Sequence, residues 1–107
     1  MISEGIVTDT DTLDRARHAL ASHDWADAYD AFASAAADQE MAGEDLEKLS
    51  EAAWWTAHPA ECIDALERAY STYSNQGNQL RAAYVALNLA DQWNERLRSA
   101  QAAGWLK

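Results

Sequence analysis

The sequence predicts an all-α fold: antiparallel helical hairpins stacked as a short right-handed solenoid of about five to six helices. Composition is the first observation behind this prediction, because 49% of the 107 residues are hydrophobic, alanine is abundant and proline occurs once. Such a mixture favours helix over sheet. The second observation is a weak 34-residue repeat, and a period of this length is typical of stacked helical hairpins. The positions in register are Ala35, Ala69 and Ala103, then Trp25, Pro59 and Trp93, then Phe32, Leu66 and Ala100.

Residues 1–9 show no helical period and are predicted to be an N-terminal arm, whereas residues 10–107 are predicted to form one helical domain. The repeats are expected at about 10–43, 44–77 and 78–107, the last of them incomplete. The connections between the predicted helices are short, so consecutive helices are expected to be antiparallel neighbours.

Apolar residues at helical spacing predict the first hairpin. Its first helix is expected from Thr10 to Ala21, with acidic residues in the first turn. Asp24 is the natural N-cap of the helix that follows. The apolar positions that share a face are Leu13, Ala16 and Leu20 in the first helix and Trp25, Ala28, Phe32 and Ala35 in the second.

The second hairpin follows a joint at residues 42–45. Its first helix is predicted over residues 45–57, and its second helix begins at Pro59, whose missing N–H is harmless at the first helical position. The second helix is expected to reach about Tyr73. The apolar positions are Leu46, Leu49 and Ala53 in one helix and Cys62, Ile63, Leu66, Ala69 and Tyr70 in the other.

The third hairpin is predicted to be irregular. Residues 74–78 form a turn, a fifth helix covers residues 79–92, and a sixth starts near Asn94. The register fails after Trp93, since Arg96 occupies the position where a small residue is expected. The apolar terminal segment would leave the last hairpin poorly covered, so we expect either dimerisation through the C-terminal end or a continuation of the chain.

These residues resemble a tetratricopeptide-repeat (TPR) array, whose motif is a 34-residue helical hairpin with small or aromatic residues at set positions. The stretch 23–28, followed by Phe32 and Ala35, resembles the turn and second helix of the motif, with His23 where the family usually has glycine. Cys62 stands where the family places a small alanine. The resemblance implies a non-catalytic binding module whose concave face is formed by the first helices of the repeats.

A narrower resemblance rests on the segments 52–55, 66–70, 82–90 and 104–107. Together they look similar to the repeat region at the N-terminus of some bacterial LuxR-type transcriptional regulators. In such regulators the helix-turn-helix lies at the C-terminus, and this chain contains none. The resemblance implies the regulatory part of a bacterial signalling or transcriptional regulator, which binds a protein or peptide partner.

The 34-residue register also places polar and aromatic side chains across the predicted groove. Trp54 and Trp55 point about 100° apart on a helix, so both cannot face the same core. Either one lies in the core and the other packs against the next hairpin, or at least one lies in the concave groove as an anchor for an apolar or cationic ligand. The arginines and glutamates either pair with one another or hold the polar end of a small molecule, which would make the domain a sensor. The candidate binding residues are Arg17, Leu20, Glu47, Glu51, Trp54, Trp55, Arg81 and Asn88.

Charge and composition argue against several other classes. The net charge is −10 and no basic run is present, so direct nucleic-acid binding by this segment is not expected, although an acidic surface suits a basic peptide. Cys62 is the only cysteine, which excludes an internal disulfide and favours a reducing compartment. With neither a signal peptide nor a membrane span in the sequence, we expect a soluble, cytoplasmic protein.

No pattern of catalytic or metal-binding residues is recognisable. His18, His23 and His58 lack a second ligand at the spacing of a helical metal site, and Cys62 is interpreted as a small buried residue. We therefore expect no metal, no cofactor and no enzymatic activity.

Overall fold

The computed structural model describes residues 9–104, and within this range the chain is all helical, as predicted. The residues of the predicted arm before Asp9, and residues 105–107, lie outside the described part. There are five helices in it: α1 (Asp9–Ala21), α2 (Trp25–Asp38), α3 (Gly43–Trp55), α4 (Pro59–Asn75) and α5 (Gln79–Ala102).

Each helix packs against the next one along the chain, and α1 also contacts α3. The short connections force this order, because they leave no room for a crossover. Alanine dominates the shared core and lets helices approach closely, while a few larger side chains fill the remaining space. The largest fully buried side chains are Tyr73, Phe32, Leu46, Leu66 and Val85.

Local signals in the sequence set the helix starts. Asp24 caps α2, since its side chain accepts a hydrogen bond from the Asp27 backbone N–H at 3.4 Å. Pro59 lies in the first turn of α4, as predicted. Asn78 caps α5 in the same way, since its side chain accepts a hydrogen bond from the Arg81 backbone N–H at 3.2 Å.

Two hairpin turns share one geometry at the spacing of the repeat. His23, between α1 and α2, has φ of 60°, and Ala57, between α3 and α4, has φ of 61°. In both turns the N–H of the following residue bonds the carbonyl five residues earlier at 2.8 Å, which is the Schellman ending of a helix. The left-handed conformation disfavours residues with a Cβ by about 1–2 kcal/mol, so packing on both sides must hold these turns.

The third hairpin does not form, and this corrects the prediction of separate fifth and sixth helices. Residues 79–102 make one continuous helix, which ends at Ala103 before Gly104, where φ is 82°. Asp91 stands one repeat period after Ala57, yet it is inside α5 rather than in a turn. The chain from Asp91 to Glu95 contains neither glycine nor proline, so nothing local interrupts the helix.

Candidate functional site

A groove of about 520 Å³ lies between α3 and α5, with α4 as its floor. In the 34-residue register, α3 is the first helix of the second hairpin, and the first half of α5 takes the position predicted for the first helix of the third. Buried side chains of α4 close the bottom of the groove. Its lining is formed by Glu44, Glu47, Lys48, Ser50, Glu51 and Trp54 of α3, Cys62 and Leu66 of α4, and Arg81, Tyr84, Asn88 and Gln92 of α5.

Five of the eight candidate residues from the sequence meet in this groove: Glu47, Glu51, Trp54, Arg81 and Asn88. The 34-residue register is the reason, because it places Glu47 beside Arg81 and Trp54 beside Asn88 on neighbouring helices. The other three candidates, Arg17, Leu20 and Trp55, do not line the groove.

Glu47 is the centre of a hydrogen-bonded network on the groove wall. Its carboxylate accepts hydrogen bonds from Arg81 Nη2 at 2.6 and 2.7 Å and from the Tyr73 hydroxyl at 2.6 Å. The bonds to Glu47 raise the pKa of Arg81 above its ordinary value. Burial, together with the hydrogen bond to Glu47, raises the pKa of Tyr73 to about 12. The network fixes α4 and α5 against α3, so Glu47 and Arg81 shape the wall with their charges already paired.

Arg17 forms a second ion pair away from the groove. Its Nε and Nη2 donate to the two carboxylate oxygens of Asp45 at 2.9 and 2.7 Å, while Nη1 donates to Asp14 at 3.0 Å. The hydrogen bond to Asp45 raises the pKa of the Arg17 guanidinium. Asp45 is only 3% exposed, so this bidentate pair satisfies a buried charge and joins α1 to α3. Leu20 is half-buried and packs on the core.

Trp54 and Trp55 have different neighbours, although both side chains are about half exposed. Trp55 stacks on Trp25 with ring centroids 5.1 Å apart, and Trp25 in turn stacks on His23 at 5.2 Å. Trp55 therefore packs against the first hairpin. Trp54 meets Trp55 edge-on at 4.9 Å and is left on the rim of the groove. Neither ring lies in the core, and Trp54 takes the place of the groove tryptophan in the second of the two arrangements that the sequence leaves open.

Several groove side chains have unused binding capacity. Glu44 and Glu51 lie two turns apart on one face of α3, and neither has an ion pair or side-chain hydrogen bond within residues 9–104. Tyr84, which is not among the candidate residues from the sequence, is 54% exposed and carries the Arg81 guanidinium 4.8 Å above its ring. Its position on the helical face between Arg81 and Asn88 is the signal that identifies it as a groove residue.

The groove continues past Trp54 into a second depression of about 670 Å³ along the second half of α5. Trp54 and Gln92 line both cavities, so they form one extended surface. The wall of the second depression is largely apolar, and Pro59 of α4 and Trp93 of α5 both line it.

Reactive and metal-binding groups contribute little to this surface. Cys62 is 2% exposed, and burial raises the pKa of its thiol to about 11, which disfavours the reactive thiolate. Among the described residues, no group of three or more potential metal ligands lies close together. Nor is any described helix both long and apolar enough to span a bilayer.

Comparisons of the chain with models of known protein families, with curated proteins and with solved structures find no match.

Proposed function

We propose that this chain is a non-catalytic, TPR-like binding module whose groove between α3 and α5 receives an extended basic segment of a partner protein. The observation that carries the proposal is the groove itself: an exposed tryptophan and two unpaired carboxylates line one continuous surface between α3 and α5. A regulatory role in a bacterial signalling or transcriptional regulator is part of the proposal, supported by the resemblance to the repeat region of LuxR-type regulators.

The repeated turn supports stacking of TPR-like hairpins. His23 and Ala57, one repeat period apart, adopt the same left-handed conformation, and α1 contacts α3 across the hairpin boundary. In a solenoid, the first helices of successive hairpins line one face, where peptides are bound. Of the two groove walls, α3 is such a helix, and the first half of α5 takes the position of the next one in the 34-residue register.

Groove chemistry favours a cationic, partly apolar ligand. Glu44 and Glu51 supply two negative charges against the one positive charge of Lys48, while Trp54 offers its ring to an aliphatic side chain or a cation. Asn88 and Gln92 provide donors and acceptors for the backbone of an extended peptide. The net charge of −10 adds a long-range attraction for a basic partner, which salt weakens.

Tryptophan fluorescence with two matched peptides tests this function. One peptide alternates lysine and leucine, and the other alternates glutamate and leucine at the same length. We expect the lysine peptide to change the emission of the protein and the glutamate peptide to leave it unchanged. Trp54→Phe should weaken binding by at least 2 kcal/mol, about 30-fold, as expected for an aromatic anchor. Calorimetry gives this affinity independently of the emission.

Matched variants separate the groove from general acidity. Trp55→Phe removes an equally exposed tryptophan outside the groove and should leave the affinity within about twofold. Glu51→Gln should weaken binding and lower its salt dependence, whereas Glu67→Gln, which lines a different depression, should not. Equal effects of the two tryptophan variants, or equal affinity for both peptides, would overturn the proposed site.

A small-molecule sensor remains the second candidate, because the groove volume of about 520 Å³ falls within the range of small-ligand pockets. Its discriminating test is thermal stabilisation by a panel of cationic aromatic or aliphatic amines. A ligand that raises the melting temperature of the wild type but not of Trp54→Phe would favour the sensor. Stabilisation by the lysine peptide alone would favour the peptide-binding module.

A further inference from the structure

The first half of α5 exposes an apolar stripe that no other described helix covers. Leu80 is 82% exposed and Leu87 is 71% exposed, and Ala83 and Tyr84 lie on the same face of the helix. Of the large hydrophobic side chains exposed within residues 9–104, five belong to this one helix: Leu80, Tyr84, Leu87, Trp93 and Leu97. A contiguous apolar face of this kind marks an interaction surface.

The repeat register indicates what covers the equivalent stripe in the preceding hairpin. Leu46 and Ala53, one repeat period before Leu80 and Leu87, are 1% and 0% exposed. They lie in the core that α3 shares with α4. The first half of α5 therefore requires a helix in the place that α4 takes on α3.

The segment equivalent to α4 is the second half of α5. Pro59, the first residue of α4, corresponds to Trp93, and Ile63 of α4 corresponds to Leu97. In one chain this segment cannot cover the stripe, because the two halves of a continuous helix lie end to end along one axis. The turn that would fold them together corresponds to Asp91, which is helical.

We propose that a second copy of the chain supplies the missing helix, in a domain-swapped dimer joined by antiparallel α5 helices. The two-fold axis passes near Asp91, so the second half of each α5 lies on Leu80 and Leu87 of the other copy. A third hairpin is thereby completed between chains instead of within one. Because Asp91 is helical instead of forming a turn, the second half of α5 extends away from its own chain and packs on the other copy.

Both the side-chain spacing and the charge of α5 favour packing against a second copy of α5. Small and apolar residues, with one asparagine, follow the alternating three- and four-residue spacing of a coiled-coil seam. α5 carries three arginines against one aspartate and one glutamate, whereas the chain as a whole has a net charge of −10. Two α5 helices therefore meet without the repulsion that other faces of this acidic protein would produce. The seam positions are Leu80, Ala83, Leu87, Ala90, Asn94 and Leu97.

Light scattering on the full chain tests the oligomeric state. We expect twice the chain mass of 11.8 kDa for the wild type. Leu87→Glu should weaken the dimer at least about tenfold because it puts a charge into the seam. Tyr70→Glu, at an exposed position on α4, is the matched control and should remain dimeric. Far-ultraviolet circular dichroism verifies that both variants stay helical. A wild-type monomer at high concentration would overturn the proposal and leave the stripe for another partner.

Cross-linking tests the antiparallel arrangement. A cysteine at Asp91→Cys should join its twin through a short bismaleimide, because both lie at the axis. Ala83→Cys should not, since its twin would be roughly 25 Å away at about 1.5 Å per residue. Cross-linking of both variants would indicate that the two α5 helices are parallel and would overturn the proposed antiparallel dimer. Native Cys62 is buried, which limits background reaction.

A hinge variant tests the exchange itself. Asp91→Gly makes the left-handed turn accessible and should shift the population towards a monomer with a closed third hairpin. Asp91→Ala favours the straight helix and should remain dimeric. Identical masses for these two variants would contradict the role of Asp91 as the exchanged turn.

Discussion

Removal of the Tyr73 hydroxyl tests the network that holds the wall of the groove. Tyr73 is 1% exposed, and its hydroxyl donates to Glu47 at 2.6 Å. In Tyr73→Phe the Glu47 carboxylate keeps Arg81, so no buried charge is left unpaired. The free energy of unfolding should fall by about 2 kcal/mol, because one hydrogen bond to a charged group is lost. For a domain of this size it lowers the melting temperature by roughly 8–16 °C.

The loss of stability caused by Tyr73→Phe should depend on pH. The pKa of Tyr73 rises from 10.0 to about 12 on folding, so between these values the folded protein holds a proton that the unfolded chain has released. The stabilisation is complete below pH 10 and is lost as the pH rises towards 12. The free-energy difference between wild type and Tyr73→Phe should therefore shrink over this interval.

Urea denaturation followed by circular dichroism, at a series of pH values, measures both effects. Tyr84→Phe is the control, because Tyr84 is half exposed and its change should stay within about 0.5 kcal/mol. Equal stabilities of the two variants at neutral pH would refute the role assigned to the Tyr73 hydroxyl. A difference from wild type that stays constant up to pH 12 would refute the link to its ionisation.

Three further substitutions test the fold. Arg17→Met leaves the Asp45 carboxylate buried without its cation and should cost about 3 kcal/mol in urea denaturation; an unchanged midpoint would contradict this pairing. Gly43→Ala places a Cβ 2.5 Å from the Tyr73 ring and should destabilise by about 1–3 kcal/mol, whereas a neutral result would show that α4 can shift. Ala57→Gly relieves a left-handed φ of 61° and should stabilise by about 1 kcal/mol in thermal unfolding; destabilisation would contradict that turn.

The elements that the sequence predicts correctly depend on local signals. Asp24 is a capping side chain next to an amphipathic stretch, and Pro59 starts α4 because proline is tolerated there. The 34-residue spacing also brings Glu47 and Arg81 together, which periodicity alone can show. The two helix starts depend on residues within a turn or two of the helix, and the Glu47–Arg81 pair depends on the spacing of one repeat.

Other features depend on tertiary packing that no short pattern reports. Arg17 pairs with Asp45, 28 residues away, instead of facing the groove, because the bidentate geometry satisfies a buried carboxylate. Trp55 stacks on Trp25, a choice that adjacent positions on a helix leave open. The repeat also predicts a turn near Asp91, but without glycine or a stop signal the helix continues.

Nuclear magnetic resonance of the indole N–H groups tests the proposed groove most directly. The chain has five tryptophans and hence five indole resonances, which single substitutions assign. On addition of the lysine–leucine peptide, the account predicts large shifts of the Trp54 indole and of backbone amides around Glu51 and Asn88. The Trp25 indole, stacked between the rings of His23 and Trp55, should not move. Shifts confined to Trp25, or to the stripe around Leu87, would contradict the claim that this groove binds the partner.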